Sequence, residues 1–210
     1  MIPLVVGLLL FLGIHSTRIL ADGWRTAMLS RLGEVPWKLV YSVVALAGLW
    51  LVADGYAQAR LVSPVLWEPP RALKHVATLL TVPAFVLLVA SYVPGNRIRA
   101  VVRHPMILGV KLWALAHLLA NGRLADVLLF GGFLLWAVLD FRSARRRDRA
   151  PSAAAMKGLT RPSPIGSDAD VRAVPNPLPR DLAVLAVGLG AWALFAFRLH
   201  ASWIGVHPFG

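Results

Sequence analysis

This chain of 210 residues is 58% hydrophobic and only 15% charged, whereas soluble domains usually carry about a quarter charged residues, so much of its surface must face lipid. Its formal net charge of +12 does not indicate a nucleic-acid partner, because no basic segment carries interleaved aromatic residues or a known reading motif. The absence of cysteine excludes disulfides, iron–sulfur clusters and covalently attached haem, which leaves His, carboxylate, Met and Tyr as metal ligands.

Apolar runs long enough to cross a membrane recur along the chain. A span needs about 20 residues, and in lipid the backbone must satisfy its own hydrogen bonds, so such runs form helices. In chain order the runs cover residues 3–19, 38–55, 76–93, 106–119, 124–141 and 182–199. The sequence therefore predicts an all-α transmembrane bundle of about six helices. The fourth run is short and contains Lys111, so five helices with one re-entrant segment are the alternative.

The distribution of Lys and Arg predicts the orientation and the domain organisation. Most of these residues follow the first, third and fifth runs, and the opposite loops carry only Arg60, Arg71, Lys74 and Arg123. By the positive-inside rule the first group is cytoplasmic, which places both termini on the outer side. We expect a five-helix bundle over residues 1–142, a flexible basic cytoplasmic linker over 143–180, and a final transmembrane helix with an outer tail over 181–210. The arginines at 145–147 are typical of a stop-transfer charge cluster. The alternative is that they bind anionic lipid headgroups.

Histidines are the most informative polar residues, since ionisable groups are costly inside a bilayer. Helix positions place His15 and His104 near the cytoplasmic side; those near the outer side are His75, His117, His200 and His207. His104 and His117 lie roughly 19 Å apart along one helix, so one metal ion cannot bind both. The sequence thus predicts two candidate sites, an inner pair of His15 and His104 and an outer group of His75, His117 and His200.

The chemistry of such sites is limited by the ligand types available. Two histidines from facing helices can hold a b-type haem, and three histidines, or histidine with aspartate, can hold a transition metal. Asp54, Asn121 and Asp126 lie at the depth of the outer group, and Asp140 and Lys111 lie closer to the inner pair. The alternative for each histidine is a hydrogen bond to a neighbouring helix or to water.

Several motifs resemble the NnrU family of bacterial inner-membrane proteins. The longest is RHPMILGVKLWALAHLLANG at residues 103–122. Further matching segments are PGN at 94–96, GIHS at 13–16 with Arg18, GYAQAR at 55–60, and Trp67 with Pro69 and Pro70. The resemblance covers residues 1–145 closely and the last helix more loosely. It implies a multi-pass protein of the inner membrane that is associated with denitrification, in nitrite and nitric oxide metabolism.

The family is related to 15-cis-zeta-carotene isomerase, a membrane enzyme with histidine-bound haem b. That relationship implies haem b as the cofactor, with His15 and His104 as iron ligands and His117 as the other motif histidine. The RHPMILG segment is also similar to the Arg-His-Pro-x-Tyr-x-Gly motif of isoprenylcysteine and phospholipid methyltransferases, which helps to bind S-adenosylmethionine. Ile107 replaces the tyrosine of that motif, and no paired-glutamate segment follows the fifth helix.

Three functions remain open at this point. The first is a haem-b-binding protein of nitrogen-oxide metabolism, with an isomerase-like redox reaction on a lipophilic small molecule as its enzymatic form. The second is a non-enzymatic factor that assists assembly or metal supply of a nitrite or nitric oxide reductase. The third is an S-adenosylmethionine-dependent membrane methyltransferase. The sequence does not decide whether the protein is an enzyme.

Overall fold

The computed structural model describes residues 1–149, 177–206 and 208. Helices dominate the described part of the chain, and the all-α prediction is confirmed. They are α1 (Ile2–His15), α2 (Thr17–Leu20), α3 (Asp22–Leu32), α4 (Glu34–Val62), α5 (Arg71–Tyr92), α6 (Arg97–Val102), α7 (Pro105–Ala120), α8 (Leu124–Arg149) and α9 (Leu178–Leu194), which continues as a π-helix, Phe195–Ile204.

The helices that are long and apolar enough to cross a membrane are α4, α5, α8 and the continuous segment Leu178–Ile204. Two of the predicted runs correspond to the shorter apolar helices α1 and α7, with 14 and 16 residues. In the described part of the chain, four helices therefore satisfy the length and composition of a membrane span, and the predicted count of six is not confirmed. The apolar side chains exposed along α4, among them Leu39, Val43 and Leu46, form a surface suited to lipid rather than water.

Two predicted boundaries were wrong. The first run does not continue as one helix to residue 19, because the Ser16 hydroxyl donates to the Leu12 carbonyl oxygen (2.6 Å) and the helix breaks there; such side-chain bonds compete with the helix backbone. The linker does not begin at residue 143, because α8 continues to Arg149. Arginine is a good helix former, and His104 Nε2 contacts Asp148 Oδ2 at 2.9 Å, which anchors the last turn of α8. The linker residues 150–176, and His207, lie outside the described part.

Glycines allow α1 and α4 to pack backbone against backbone. A Cβ atom on Gly7 would lie 2.5 Å from the Val52 nitrogen, and one on Gly48 would lie 2.7 Å from the Phe11 nitrogen. A Cβ atom on Gly55 would overlap the backbone of Leu4. Small residues at a helix interface permit this approach in membranes. The contact positions the main core, whose buried members are Leu4, Leu8, Val52, Ala59, Ala125, Leu129 and Phe130.

A buried carboxylate connects helices at the end of the bundle where α8 begins. Asp126 is only 4% exposed. Its Oδ1 atom accepts from the Tyr56 hydroxyl (2.7 Å), and its Oδ2 atom accepts from the Arg123 backbone N–H (2.8 Å). The Arg123 guanidinium donates in turn to the Ser63 carbonyl oxygen at 3.0 Å. Asp126 therefore fixes α4 against the start of α8 and is occupied by structural contacts.

We expect Tyr56→Phe to lower the free energy of unfolding by about 1 to 2 kcal/mol, because it removes a hydrogen bond from a buried carboxylate. Tyr41→Phe is the matched control, since the Tyr41 hydroxyl has no hydrogen-bond partner among the residues described here. Thermal unfolding in detergent measures the difference. Equal shifts in the two variants would show that the Tyr56–Asp126 bond contributes no stability.

Helix α5 packs against both α7 and α9. A Cβ atom on Gly109 of α7 would lie 3.0 Å from the Ala84 carbonyl oxygen of α5. Trp192 Nε1 of α9 donates to the Thr81 hydroxyl oxygen of α5 at 3.0 Å, and Arg180 lies against Gly95. Because α7 and α9 both run antiparallel to α5, the first turn of α5 lies level with the end of α7 and with the π-helix.

Candidate ligand cavity and histidine sites

A cavity of about 450 Å³ lies between α5, α7 and the last helical segment. This volume falls within the range of about 300 to 1,000 Å³ that is typical of small-molecule sites. Its lining residues are Lys74, Ala77, Thr78, Thr81, Ala84, Phe85, Leu88, Gly109, Val110, Trp113, Ala116, His117, Ala120, Asn121, Trp192, Phe195, Ala196, His200, Val206 and Pro208. Most of the wall is therefore aromatic or aliphatic.

Small residues create the space. Ala77 and Ala84 recur on one face of α5, and Gly109 and Ala116 recur on the facing side of α7. Their spacing of seven residues places each pair on a single helix face. Trp113 and other large rings then close the sides. The helices approach each other closely at Gly109, and the alanines leave room further along.

The two ends of the cavity differ in polarity. Lys74 and Thr78 line the end at the start of α5, together with Asn121 from the end of α7. Phe85 and Leu88 line the opposite end. Lys74 and Leu88 are about 21 Å apart along α5. An elongated or flat ligand with one polar edge matches this arrangement.

His117 and His200 both line the cavity. Nδ1 of His117 donates to the Trp113 carbonyl oxygen at 2.8 Å, and Nδ1 of His200 donates to the Val206 carbonyl oxygen at 2.7 Å. A backbone bond at Nδ1 fixes the tautomer and leaves Nε2 as the lone-pair atom, as in most metal-ligating histidines. Two imidazoles from different helices are thus oriented by the backbone beside one cavity.

Aromatic packing holds His117 in place. Its ring stacks on Phe130 of α8 with centroids 4.5 Å apart, and the Trp113 ring lies 5.0 Å away. His200 lies on the π-helix, 5.8 Å from the Phe195 ring in an edge-on contact. π-helical turns occur frequently at functional sites. The wider turn aligns Phe195 and His200, five residues apart, on the cavity wall.

The third histidine of the predicted outer group does not join the other two. His75 is exposed to solvent or lipid and does not line the cavity. Asp54 accepts a hydrogen bond from Gln58 on the exposed side of α4, and Asp126 is occupied as described above. Within the described residues, no group of three or more His, Asp or Glu side chains is arranged to hold a metal ion.

The inner histidines lie in a separate polar cluster along α8. Nδ1 of His15 donates to the Phe11 carbonyl oxygen at 2.6 Å, and the His15 ring packs among Phe11, Tyr41 and Trp136. The buried Trp136 Nε1–H has no acceptor among the described residues. Asp140 interacts electrostatically with both His15 and His104, so the two histidines approach one carboxylate from different helices.

His104 is held by a strained turn and by a contact with a carboxylate. Arg103 has a positive φ of 64°, and the His104 backbone N–H donates to the Val102 carbonyl oxygen at 2.7 Å. This is a γ-turn of the rarer, strained form. The His104 side chain contacts Asp148 through Nε2, so this nitrogen would have to leave the carboxylate before binding iron. Lys111 lies 4.7 Å over the Phe141 ring, beside the same cluster.

Sequence reasoning found the histidines but missed the cavity. In the sequence Lys74 reads only as a loop charge, and no motif marks Trp192 or Thr81. The repeated Ala and Gly on facing sides of α5 and α7 were a signal for a helix contact with free space. The pairing of His117 with His200 depends on how the last helix packs across the bundle, which helix periodicity does not give.

Comparison with known proteins identifies the family. A protein-family model described as NnrU protein matches residues 3–208. The match extends beyond the residues 1–145 that the motifs covered closely and includes the last helix. No curated protein and no solved structure matches the chain. Since the matched region is nearly the whole sequence, the chain belongs to the NnrU family.

Proposed function

We propose that the protein binds b-type haem in the cavity between α5, α7 and the last helix, where His117 and His200 would hold the iron. It acts in the bacterial inner membrane in nitrite and nitric oxide metabolism, which is the association of its family. Bound haem would supply one-electron chemistry. The observation that carries the proposal is the pair of histidines from two helices, each with Nδ1 bonded to a backbone carbonyl, beside an apolar cavity of about 450 Å³.

The cavity suits haem chemically. Axial ligation in a helical bundle requires imidazoles from separate helices, and His117 and His200 satisfy that requirement without cysteine. Phe85, Trp113 and Trp192 offer aromatic faces and edges to a flat apolar ring. His117 and His200 also interact electrostatically, which is consistent with their proximity. A lipophilic substrate would reach this region from the surrounding lipid.

This proposal moves the haem from the inner pair to the outer pair. The family relationship suggests His15 and His104, but His104 Nε2 is engaged by Asp148 at 2.9 Å. His15 and His104 are not among the residues that line the cavity. The inner cluster contains two carboxylates and several cations near the cytoplasmic side, which favours a role in proton or ion-pair chemistry or in stability over haem binding.

The absorption spectrum of the full chain tests the proposal. The protein is purified in detergent from haem-replete cells, and its spectrum is recorded before and after reduction with dithionite. We expect a Soret band with sharp reduced α and β bands, and about one haem per chain. A spectrum without these bands after reconstitution with haemin would contradict the proposal and favour a non-enzymatic assembly factor.

The orientation of the bundle is part of the proposal. Arg97, Arg99 and Arg147 lie at the same end as the inner cluster, which favours placing this end in the cytoplasm. A reporter fused at residue 160 should therefore remain cytoplasmic. Paired fusions to alkaline phosphatase and to a fluorescent protein measure its location. A fusion at residue 68, in the loop before α5, is the matched control and should be exported. Export of the reporter at residue 160 would overturn the orientation.

A further inference from the structure

We propose that Lys74 binds a propionate carboxylate of the haem and thereby sets its orientation in the cavity. The inference rests on the proposed function, because it names the residue that recognises the acidic edge of the same ligand. Haem b has an edge with two carboxylates and an opposite edge of apolar substituents. A cavity with one cationic end and one apolar end would bind it in a single direction.

The charge distribution around the cavity supports this assignment. Lys74 is the only Lys or Arg among the described residues that line it, and no Asp or Glu lines it. No described carboxylate lies within ion-pair distance of the Lys74 ammonium group. Asp126, at the same end of the bundle, is already bonded to Tyr56 and Arg123. Within the described part of the chain, the ammonium group therefore lacks an anionic partner.

The position of Lys74 is also suitable. The Gly109–Ala84 contact and the antiparallel course of α5 and α7 place Lys74 between the levels of His117 and Asn121, about 3 Å outward from His117. The Trp192–Thr81 hydrogen bond fixes the last helix in a similar way and places His200 near the level of Lys74. Lys74 therefore lies at the same end of the cavity as the two histidines, opposite the apolar end lined by Phe85 and Leu88.

Asn121 and Thr78 complete the polar end. The Asn121 side-chain N–H donates to the His117 carbonyl oxygen at 2.9 Å, and the Thr78 hydroxyl donates to the Lys74 carbonyl oxygen at 3.0 Å. Both donors are satisfied within their own helices, so Lys74 is the side chain that can provide charge-assisted binding of a carboxylate. At the opposite end, Leu88, Phe85 and Val110 offer no such group.

The test compares haemin with haemin dimethyl ester, in which the propionate charges are removed. The full-length apo-protein in detergent is titrated with each compound, and the Soret band gives the two dissociation constants. The preference for haemin is the dissociation constant of the ester divided by that of haemin. We expect this ratio to be roughly three- to tenfold larger for the unmodified chain than for Lys74→Gln. Taking the ratio cancels the greater lipophilicity of the ester. Lys74→Arg should retain most of the preference.

Controls separate this inference from the proposed function. Arg71→Gln removes an exposed cation one turn away that does not line the cavity, and its ratio should equal that of the unmodified chain. The inference is overturned if Lys74→Gln keeps the full preference for haemin while the low-spin spectrum is intact, and the histidine assignment then survives. If neither compound gives a low-spin spectrum, the proposed function fails and the Lys74 assignment fails with it.

Discussion

Replacing His117 with alanine is expected to abolish the low-spin haem spectrum of the purified protein. The imidazole supplies one axial ligand, its Nδ1 is fixed by the Trp113 carbonyl oxygen, and its ring stacks on Phe130. Among the described residues, His200 is the only other histidine that lines the cavity, and no group of three or more His, Asp or Glu side chains is arranged to hold a metal ion. We expect haem content after purification to fall by at least about tenfold, as loss of a ligand bond of several kcal/mol implies.

His75→Ala is the matched control for this prediction. His75 lies at the same end of the bundle but is exposed and does not line the cavity, so its haem content and spectrum should equal those of the unmodified chain. Size-exclusion profiles in detergent show whether each variant remains folded. A well-folded His117→Ala protein with the original spectrum would exclude His117 as a ligand.

The variants His15→Ala and His104→Ala extend the comparison to the inner pair. Both should retain haem, because neither residue lines the cavity. His104→Ala removes the contact with Asp148 (2.9 Å) and should lower stability modestly, since the pair is partly exposed. Loss of haem in these two variants with retention in His117→Ala would restore the ligand pair that the family relationship suggests.

Replacing Gly55 with leucine is expected to prevent normal packing of α1 against α4. A Cβ atom at this position would overlap backbone atoms of Pro3 and Leu4, and backbone cannot move aside as a flexible side chain can. The buried core formed by Leu4, Leu8 and Val52 depends on the same contact. Overpacking typically costs about 1 to 3 kcal/mol, and we expect at least the upper value here. Thermal unfolding monitored by size-exclusion chromatography in detergent measures the loss.

Gly190→Leu is the matched control. Gly190 also lies within a candidate membrane span, α9, but a Cβ atom there would have no heavy atom within 4 Å. The leucine would extend from the bundle into detergent or lipid, so stability should change little. Similar destabilisation in the two variants would mean that the α1–α4 contact is not a tight backbone approach.

The helices were largely predictable because lipid leaves the backbone few alternatives. Five of the six predicted runs each correspond to one continuous helical segment. The first run, over residues 3–19, is interrupted at Ser16, whose hydroxyl bonds to the preceding turn. The extension of α8 to Arg149 was missed because a run of arginines resembles a charged linker. The contact between His104 and Asp148 depends on tertiary structure and is not visible in a local pattern.

The candidate site was predictable only in part. Depth along a helix places Asp126 and Asp140 at opposite ends of the bundle, since they lie about 21 Å apart along α8. Depth does not give the direction in which a side chain points around the bundle. His75 therefore shared a level with His117 and His200 but lies outside the cavity. The π-helix that carries His200 changes the helical phase and could not be anticipated from a regular period.

The reduction potential of His200→Met tests the central claim most directly, because it changes the axial ligand instead of removing it. A histidine–methionine ligand pair raises the potential relative to two histidines, and the matched variant His104→Met controls for an added thioether near the other end. We predict a raised potential with an altered low-spin spectrum in His200→Met and values unchanged from the original chain in His104→Met. An unchanged potential in a haem-loaded His200→Met protein, with a shift in His104→Met, would contradict the assignment of the cavity as the haem site.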